Sequence, residues 1–503
     1  MVIDSDVSRL ADGREKAAVM VAAIIASSLG FVDASVISVA LPVMRLDLSA
    51  GFGGAQWIAN AYTLMLAALV LVGGVAGDRY GVRDTFMAGI GAFMLASIAC
   101  ALSGSVETLV FFRALQGASA AFMVPGSLAL IAMTFPREER GAAIGLWSTV
   151  SGLAAALGPI IGGLMIDWGG TTAWRWIFWI NVPAGLVALF VLATRVRRQR
   201  PTGAAPLDWI GALLATLALG AISGALILVA DGTGDTLIII ALSVTGLALA
   251  VGFLVFEART DSPMLPVRLF QSKGFIGANL LTFMLYFALG GVLFFIPMTL
   301  IEAHHMRESA AGAVFLPFTI TMALLARYSG MYADAYGARS PIVIGSAIVA
   351  MSLPILALAV AHGDYFFGVL PSMAVMGIGM GLVVAPLSTV VMTPVDDRLA
   401  GAASAVNNGV ARVAGLLAVA ILGIVAAGVY ALSIDPALVP GGYGAPALGL
   451  TARADLMRSN AMAQSFVAIA LLLAVVAAAG SIIAAATLPE KRRAGTARAV
   501  SAS

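Results

Sequence analysis

Two ionisable side chains stand deep inside long apolar runs: Asp33 in the stretch 17–41 and Arg113 in 107–134. A charge at the centre of a bilayer-spanning helix costs about 2.5–3.5 kcal/mol on insertion scales, so such residues carry a functional expectation. Asp33 lies about 12 Å from the far end of its run and Arg113 about 9 Å from the matching end of its own, at about 1.5 Å of rise per residue. This matched depth predicts that the two face one cavity and pair while Asp33 is ionised. A proton taken up by Asp33 then loosens the pair and changes which state of the protein is favoured. The plainer alternative is a carboxylate packed at a helix interface among polar partners.

Glu302, just past the run 274–301, is a second candidate for proton uptake or for attracting a cationic substrate. With His304, His305 and Arg307 beside it, an exposed loop carboxylate is its plainer role. Arg412, Asn407 and Asn408 stand in the run 399–430 and are expected near the cavity, although hydrogen bonding between helices already accounts for the asparagines. Trp57, Tyr62 and Phe178 are the aromatic residues expected to line it. Adjacent His304 and His305 do not have metal-ligand spacing on a helix, and no HExxH or CxxC accompanies them, so neither a metal nor a cofactor is expected.

The elements that must hold these groups are membrane helices. Of 503 residues, 61% are hydrophobic and 11% charged, and the mean hydropathy is +1.01, a composition outside the range of soluble globular chains. Apolar runs long enough to span a bilayer recur at 17–41, 52–76, 85–104, 107–134, 140–166, 174–194, 207–230, 236–256, 274–301, 309–332, 340–361, 365–393, 399–430 and 464–488. An even number puts both termini on one side. Basic residues crowd alternate connections, among them Arg79 and Arg83, Arg195 to Arg200, and the tail from Lys491, which makes that side and both termini cytoplasmic. The first run is too long for the core of a cleaved signal peptide. A net charge of +2 gives no reason to expect a nucleic-acid partner. The single cysteine, Cys100, falls in an apolar run and forms no intrachain disulfide.

An internal repeat divides the chain. Gly74, Asp78, Gly81 and Arg83 recur at the same spacing as Gly330, Asp334, Gly337 and Arg339, after the second and tenth spans. Two six-helix halves, 1–200 and 261–503, then flank an inserted helix pair in 201–260, with a polar extracytoplasmic loop near 431–463. Halves so related enclose a cavity near the midplane, as in a rocking transporter. The stretch Gly145 to Gly163, GLWSTVSGLAAALGPIIGG, is rich in small residues and carries Pro159, which predicts a bending and closely packed membrane helix.

Several of these segments resemble the major facilitator superfamily, and within it the fourteen-helix drug/proton antiporter family. Gly145, Gly158, Pro159, Gly162 and Gly163 are similar to the fifth-helix antiporter motif, with Ala154 where a glycine is usual. Gly74, Asp78, Arg79, Gly81 and Arg83 resemble the loop motif after the second helix, with Val82 and Asp84 departing from its basic residues. Arg113, Gln116 and Gly117 resemble the fourth-helix motif; Asp33 in FVDASVISVALP and the segment WRWIFWINVPAG match the fourteen-helix branch.

The resemblance implies an all-α integral membrane protein of the major facilitator fold, two six-helix bundles with two inserted helices. It implies proton-coupled export of lipophilic, often cationic, drugs or toxic compounds by alternating access. It also implies gating roles for the loop and fifth-helix motifs and for Asp334, a cavity place for Gln116, and a monomer in the bacterial inner membrane. The partners are then a small-molecule substrate, protons and the bilayer. No phosphate-binding loop and no catalytic constellation is present, so neither an ATP-driven pump nor an enzyme is expected. A dedicated exporter of one metabolite, such as an antibiotic, sugar or siderophore, and a transporter-like sensor are the alternatives.

Overall fold

The computed structural model describes residues 13–198, 207–260, 263–392, 400–445 and 449–488. It contains fourteen helical spans long and apolar enough to cross a membrane, and no strand among the described residues. The first half comprises α1 (Gly13–Leu48), α2 (Phe52–Tyr80), α3 (Val82–Ala101), α4 (Val106–Thr134), α5 (Arg137–Gly169), α6 (Trp174–Trp179) and α7 (Asn181–Arg195). The inserted pair is α8 (Trp209–Asp231) and α9 (Thr236–Arg259). The second half comprises α10 (Lys273–Glu302), α11 (Glu308–Ala313), α12 (Phe315–Tyr336), α13 (Arg339–His362), α14 (Leu370–Met392), α15 (Ala400–Ser433) and α16 (Ala452–Thr487). The expected boundaries at 200/201 and 260/261 touch residues outside the described ones, as do Arg9, Arg398 and the basic tail.

Local chemistry explains where the helices break. Pro183 has no N–H to offer the Trp179 carbonyl, which divides the sixth span into α6 and α7; Pro317 does the same to Ala313 between α11 and α12. Ser105 and Thr108 form a capping box at the start of α4. The last span begins at Ala452, twelve residues before its expected start at 464, because Thr451 accepts the Ala454 N–H at 3.3 Å and caps the helix there. The expected loop near 431–463 is shorter by that much. Arg458, expected in that loop, is instead a buried helical residue.

The repeat read from the sequence is a repeat of packing. In the first half α1 packs on α5 and α7, and α2 and α3 pack on α4; in the second half α10 packs on α15 and α16, and α12 and α13 pack on α14. The repeated glycines turn the chain at equivalent places, Gly81 at φ +99° and Gly337 at φ +104°, a conformation that penalises other residues. The arginines that follow them cap equivalent helices. Arg83 donates to the Leu192 and Ala193 carbonyls at 3.1 and 3.2 Å, at the end of α7, and Arg339 to Ala485 at 2.6 Å, near the end of α16.

The inserted pair docks through α8, which packs on α2 and on α15 and so touches both halves. Asp231 at its end accepts the Gly53 N–H at 3.0 Å and supplies the cap that α2 lacks from its own chain neighbours. In α9 the buried residues are Gly246 and Glu257. The rest of its surface is partly or fully open, as an apolar helix bathed in lipid is.

Polar contacts between the two halves gather at one end among the described residues. Among the described residues, the hydrogen bonds and ion pairs joining them lie toward the end where α1 finishes and α2 begins: Arg45 with Glu302 and Gly444, Gln56 with Val419, and Ser309 with Asp167. Phe52 adds ring contacts with Phe295 and Tyr443. Toward the other end, Gly74 on α2, Gly145 and Gly152 on α5, and Gly409 on α15 face open space. Among the described residues the halves are clasped at the first end and leave open positions toward the second.

Candidate functional site

A close approach of α2 and α4 builds the site. A Cβ on Gly117 would overlap the backbone carbonyl of Tyr62, and one on Gly73 that of Ala121, so glycine is what lets the two helices touch. Tyr62 is thereby laid over Arg113, with the guanidinium carbon 4.6 Å from the ring centroid; the Phe178 ring lies 5.9 Å away. Arg113 Nε donates to the Ile58 carbonyl at 3.2 Å. From α1, Asp33 Oδ2 receives Arg113 Nη1.

Gln116 ties the pair together. Its Oε1 accepts from Arg113 Nη1 at 2.6 Å, while its Nε2 lies 2.9 Å from Asp33 Oδ1 and 2.8 Å from Ser97 Oγ. Asn181 at the start of α7 reaches Ser97 Oγ at 3.2 Å and Asp33 Oδ1 at 3.4 Å. Asp33 and Arg113 are each 1% exposed. In so dry a place a full ion pair stands best with its remaining donors and acceptors matched, and this network gives partners to both Asp33 oxygens and to Arg113 Nε and Nη1. A proton on Asp33 removes the charge facing Arg113 and turns an acceptor oxygen into a donor, so the network must rearrange. Ser97 and Asn181 escaped the sequence reading as site residues; the WINVPAG segment, which contains Asn181, was the available signal.

The expected pairing of Asp33 with Arg113 is present, but the pair does not face an open cavity. Asp33, Arg113, Gln116, Tyr62 and Phe178 are all buried inside the first half, where α3 and α7 close over the polar cluster. Desolvated charges are held by fixed partners rather than by water, which explains the enclosure. Trp57 faces the inserted pair, with its ring 3.5 Å from where a Cβ of Gly224 on α8 would stand. Asn407 donates to Asn279 at 3.1 Å and to Thr282 at 2.7 Å, the interhelical bonding expected as its plainer role. Arg412 stands partly buried on α15, beside open space.

Glu302 is neither an exposed loop carboxylate nor a group open to a cationic guest. Arg45 Nη1 lies 3.1 Å from one carboxylate oxygen and Arg458 Nη2 lies 2.7 Å from the other, with both arginines buried. Arg45 belongs to the first half and Arg458 to the second, so Glu302 clasps the closed end. Burial holds the His304 imidazole below its ordinary range, so it is neutral near pH 7 and adds no charge beside this cluster.

The fifth-helix residues divide by position. Gly158 abuts Ser35 and Val32 of α1, Gly162 abuts Val36, and Gly163 meets the backbone at Glu308 and Ser309; the Pro159 carbonyl lies against Gly312. These four seal the closed end, while Gly145 faces open space at the other. In the loop after α2, Arg79 lies 5.7 Å from the Tyr80 ring and Arg83 pairs with Asp84 at 3.2 Å; Asp78 is exposed at the end of α2, and Asp334 at the end of α12.

Comparison with known proteins adds to this geometry. The Major Facilitator Superfamily profile matches residues 23–419. The tetracenomycin C resistance and export protein of Streptomyces glaucescens is 35% identical over 78% of this chain and 73% of its own length. Multidrug resistance protein Stp of Mycobacterium tuberculosis is 31% identical over 82% of this chain and 77% of its own. The methylenomycin A resistance protein of Bacillus subtilis is 32% identical over 80% of this chain and 87% of its own. Among solved structures, an inward-facing, unoccupied bacterial homologue of the lysosomal transporter Spinster aligns with a TM-score of 0.68 at 17% identity, covering 95% of this chain and 98% of that one. The inward-open xylose transporter XylE aligns at 0.61 and 16%, with 95% and 98% covered. At such identities these two speak to fold alone.

Proposed function

The chain belongs to the major facilitator superfamily, and from that premise we propose that it is a proton-coupled exporter of lipophilic drugs and antibiotics working by alternating access. The observation that carries the proposal is the one-ended closure: halves clasped through Glu302 and Gln56 and parted beyond Gly145 and Gly409 make one of the two states such a carrier needs. Relatives whose names record drug resistance and export support the direction of transport and the substrate class.

The parted end is the cytoplasmic one in this reading. Lys16, Arg79, Arg83, Arg140, Arg195, Arg197, Arg198, Arg259 and Arg339 stand at helix ends on that side, and the excess of basic residues follows the positive-inside rule. Both termini are then cytoplasmic and the protein is a monomer in a bacterial inner membrane. Substrate enters from the cytoplasm while Asp33 is ionised and held by Arg113. A proton reaching Asp33 from outside frees Arg113 and favours the return of the empty carrier. Each charge moved across 100 mV supplies about 2.3 kcal/mol, and the pH gradient adds to that. The relatives named for tetracenomycin C and methylenomycin A favour a second reading, a dedicated exporter of one antibiotic by the same cycle.

The test is efflux of fluorescent lipophilic compounds from cells expressing the wild type or Asp33→Asn at equal levels, with and without a protonophore. The reading expects protonophore-sensitive efflux by the wild type and none by the variant. A fully active variant moves the proton site elsewhere, and a wild type inactive with every multidrug probe favours the dedicated exporter.

A further inference from the structure

Export substrates of the family resembled here are often cationic, and a carboxylate open to the central space is what a cation would need. Among the described residues no such carboxylate lies at mid-depth. Asp33 is enclosed with Arg113, and Glu302 is taken up between Arg45 and Arg458. The charge that does stand beside that space is Arg412. It lies twelve residues into α15, about 18 Å along the helix from its start at the open end.

Three features mark Arg412 among the arginines within the spans. Arg45, Arg113 and Arg458 are each bound to a carboxylate, whereas Arg412, like the exposed Arg327 of α12, has no hydrogen bond or ion pair among the described residues. A Cβ at Gly409 or Gly415, about one turn to either side, would meet no atom within 4 Å, and Asn408 is exposed beside them, so this stripe of α15 borders open space. The helix that carries Arg412, α15, packs on α2 of the first half as well as on α10 of the second, which places it at the seam between the halves. Tyr62 on that same α2 lies over Arg113, so the seam adjoins the proposed proton site.

We propose that Arg412 is the counter-ion for an anionic oxygen group, a carboxylate or phenolate, on the exported compound. A partly desolvated guanidinium with no partner is costly in a membrane span, and a planar anion meeting its fork of donors removes that cost. An interior-negative potential also drives an anion outward, so the charge assists export. This inference rests on the export reading and narrows it.

The experiment is uptake into inverted membrane vesicles of two dyes of opposite charge, anionic fluorescein and cationic rhodamine 6G, by the wild type, Arg412→Gln and Arg412→Lys. The wild type is expected to accumulate fluorescein. Arg412→Gln should raise KM for fluorescein at least about tenfold, the loss of one charge-assisted contact, and leave rhodamine 6G unchanged or improved, with Arg412→Lys recovering part of the loss. Wild-type uptake of rhodamine 6G without fluorescein overturns the inference and leaves export standing, as does an equal loss of both dyes in Arg412→Gln. Uptake of neither dye overturns this inference and, as with the multidrug probes, favours the dedicated exporter. If Arg412→Gln does not insert, wild-type competition decides: fluorescein must block uptake more strongly than its uncharged lactone with both phenols O-methylated, and equal block overturns the proposal.

Discussion

Asp33 and Arg113 act as one unit, and a double-mutant cycle tests that directly. Asp33→Asn leaves a buried guanidinium with the Ile58 carbonyl and Gln116 Oε1 as its remaining acceptors. Arg113→Gln leaves a carboxylate with amide donors from Gln116 and Asn181. Stranding one member of a buried pair costs about 3–5 kcal/mol, and these surviving bonds put each single change near the lower figure. Independent effects would sum to about 6 kcal/mol in Asp33→Asn/Arg113→Gln; a shared interaction holds the double loss near 3 kcal/mol, a coupling of about 3 kcal/mol. Cys100 is a built-in reporter, because it is the only cysteine, is fully buried and lies 3.9 Å from Gln116 Oε1. Thermal unfolding in detergent, followed by a thiol-reactive dye, therefore reads the loss at the network itself. Both singles should melt well below the wild type and the double no lower than either, with all three inactive in transport. Additive losses in melting would refute the reasoning.

The other predictions follow from contacts described above. Gly117→Val drives a side chain into the Tyr62 carbonyl and should cost about 1–3 kcal/mol or more and abolish transport, while Gly91→Val, at a position open for 4 Å, should be tolerated in the same melting assay. Glu302→Gln leaves Arg45 and Arg458 without a counter-charge and should widen the distance between spin labels at Leu46 and Leu456, both exposed near the closed end; an unchanged distance distribution would count against the clasp. His304, kept neutral by burial, must gain a proton when the chain unfolds in acid, so stability is present above the ordinary histidine value of about 6.5 and falls as pH drops through it. His304→Asn should flatten that acid limb of the melting profile, and an unaltered limb would assign it to another group.

Much of this architecture is legible in the chain because a bilayer leaves the backbone so few choices. Span lengths, the side bearing basic residues and the paired glycine turns at Gly81 and Gly337 are local properties, and they survive into the three-dimensional repeat. The depth argument brought Asp33 and Arg113 together for the same reason: rise per residue is fixed in a helix. Which way a side chain points around the helix is not fixed by depth. That is why Tyr62, Gln116 and Phe178 were expected beside open space and are enclosed, and why Trp57 turned out to face α8. Ser97 and Asn181 carry no charge to mark them in an apolar run. The clasp of Glu302 was hidden for a different reason, since it joins residues 45, 302 and 458 across the halves and depends on α16 beginning early at its Thr451 cap.

The placement of the inserted pair has a mechanical consequence. At 24 residues, α9 is about 36 Å long, against a hydrocarbon layer about 30 Å thick. It packs on α8, which straddles the seam between α2 and α15, so a mismatch between its length and the bilayer is passed to that seam through the contact. Bilayer thickness therefore bears on the rocking equilibrium through a part of the molecule remote from both the proton and the substrate, and the acyl-chain length of a reconstituted membrane becomes a control on turnover.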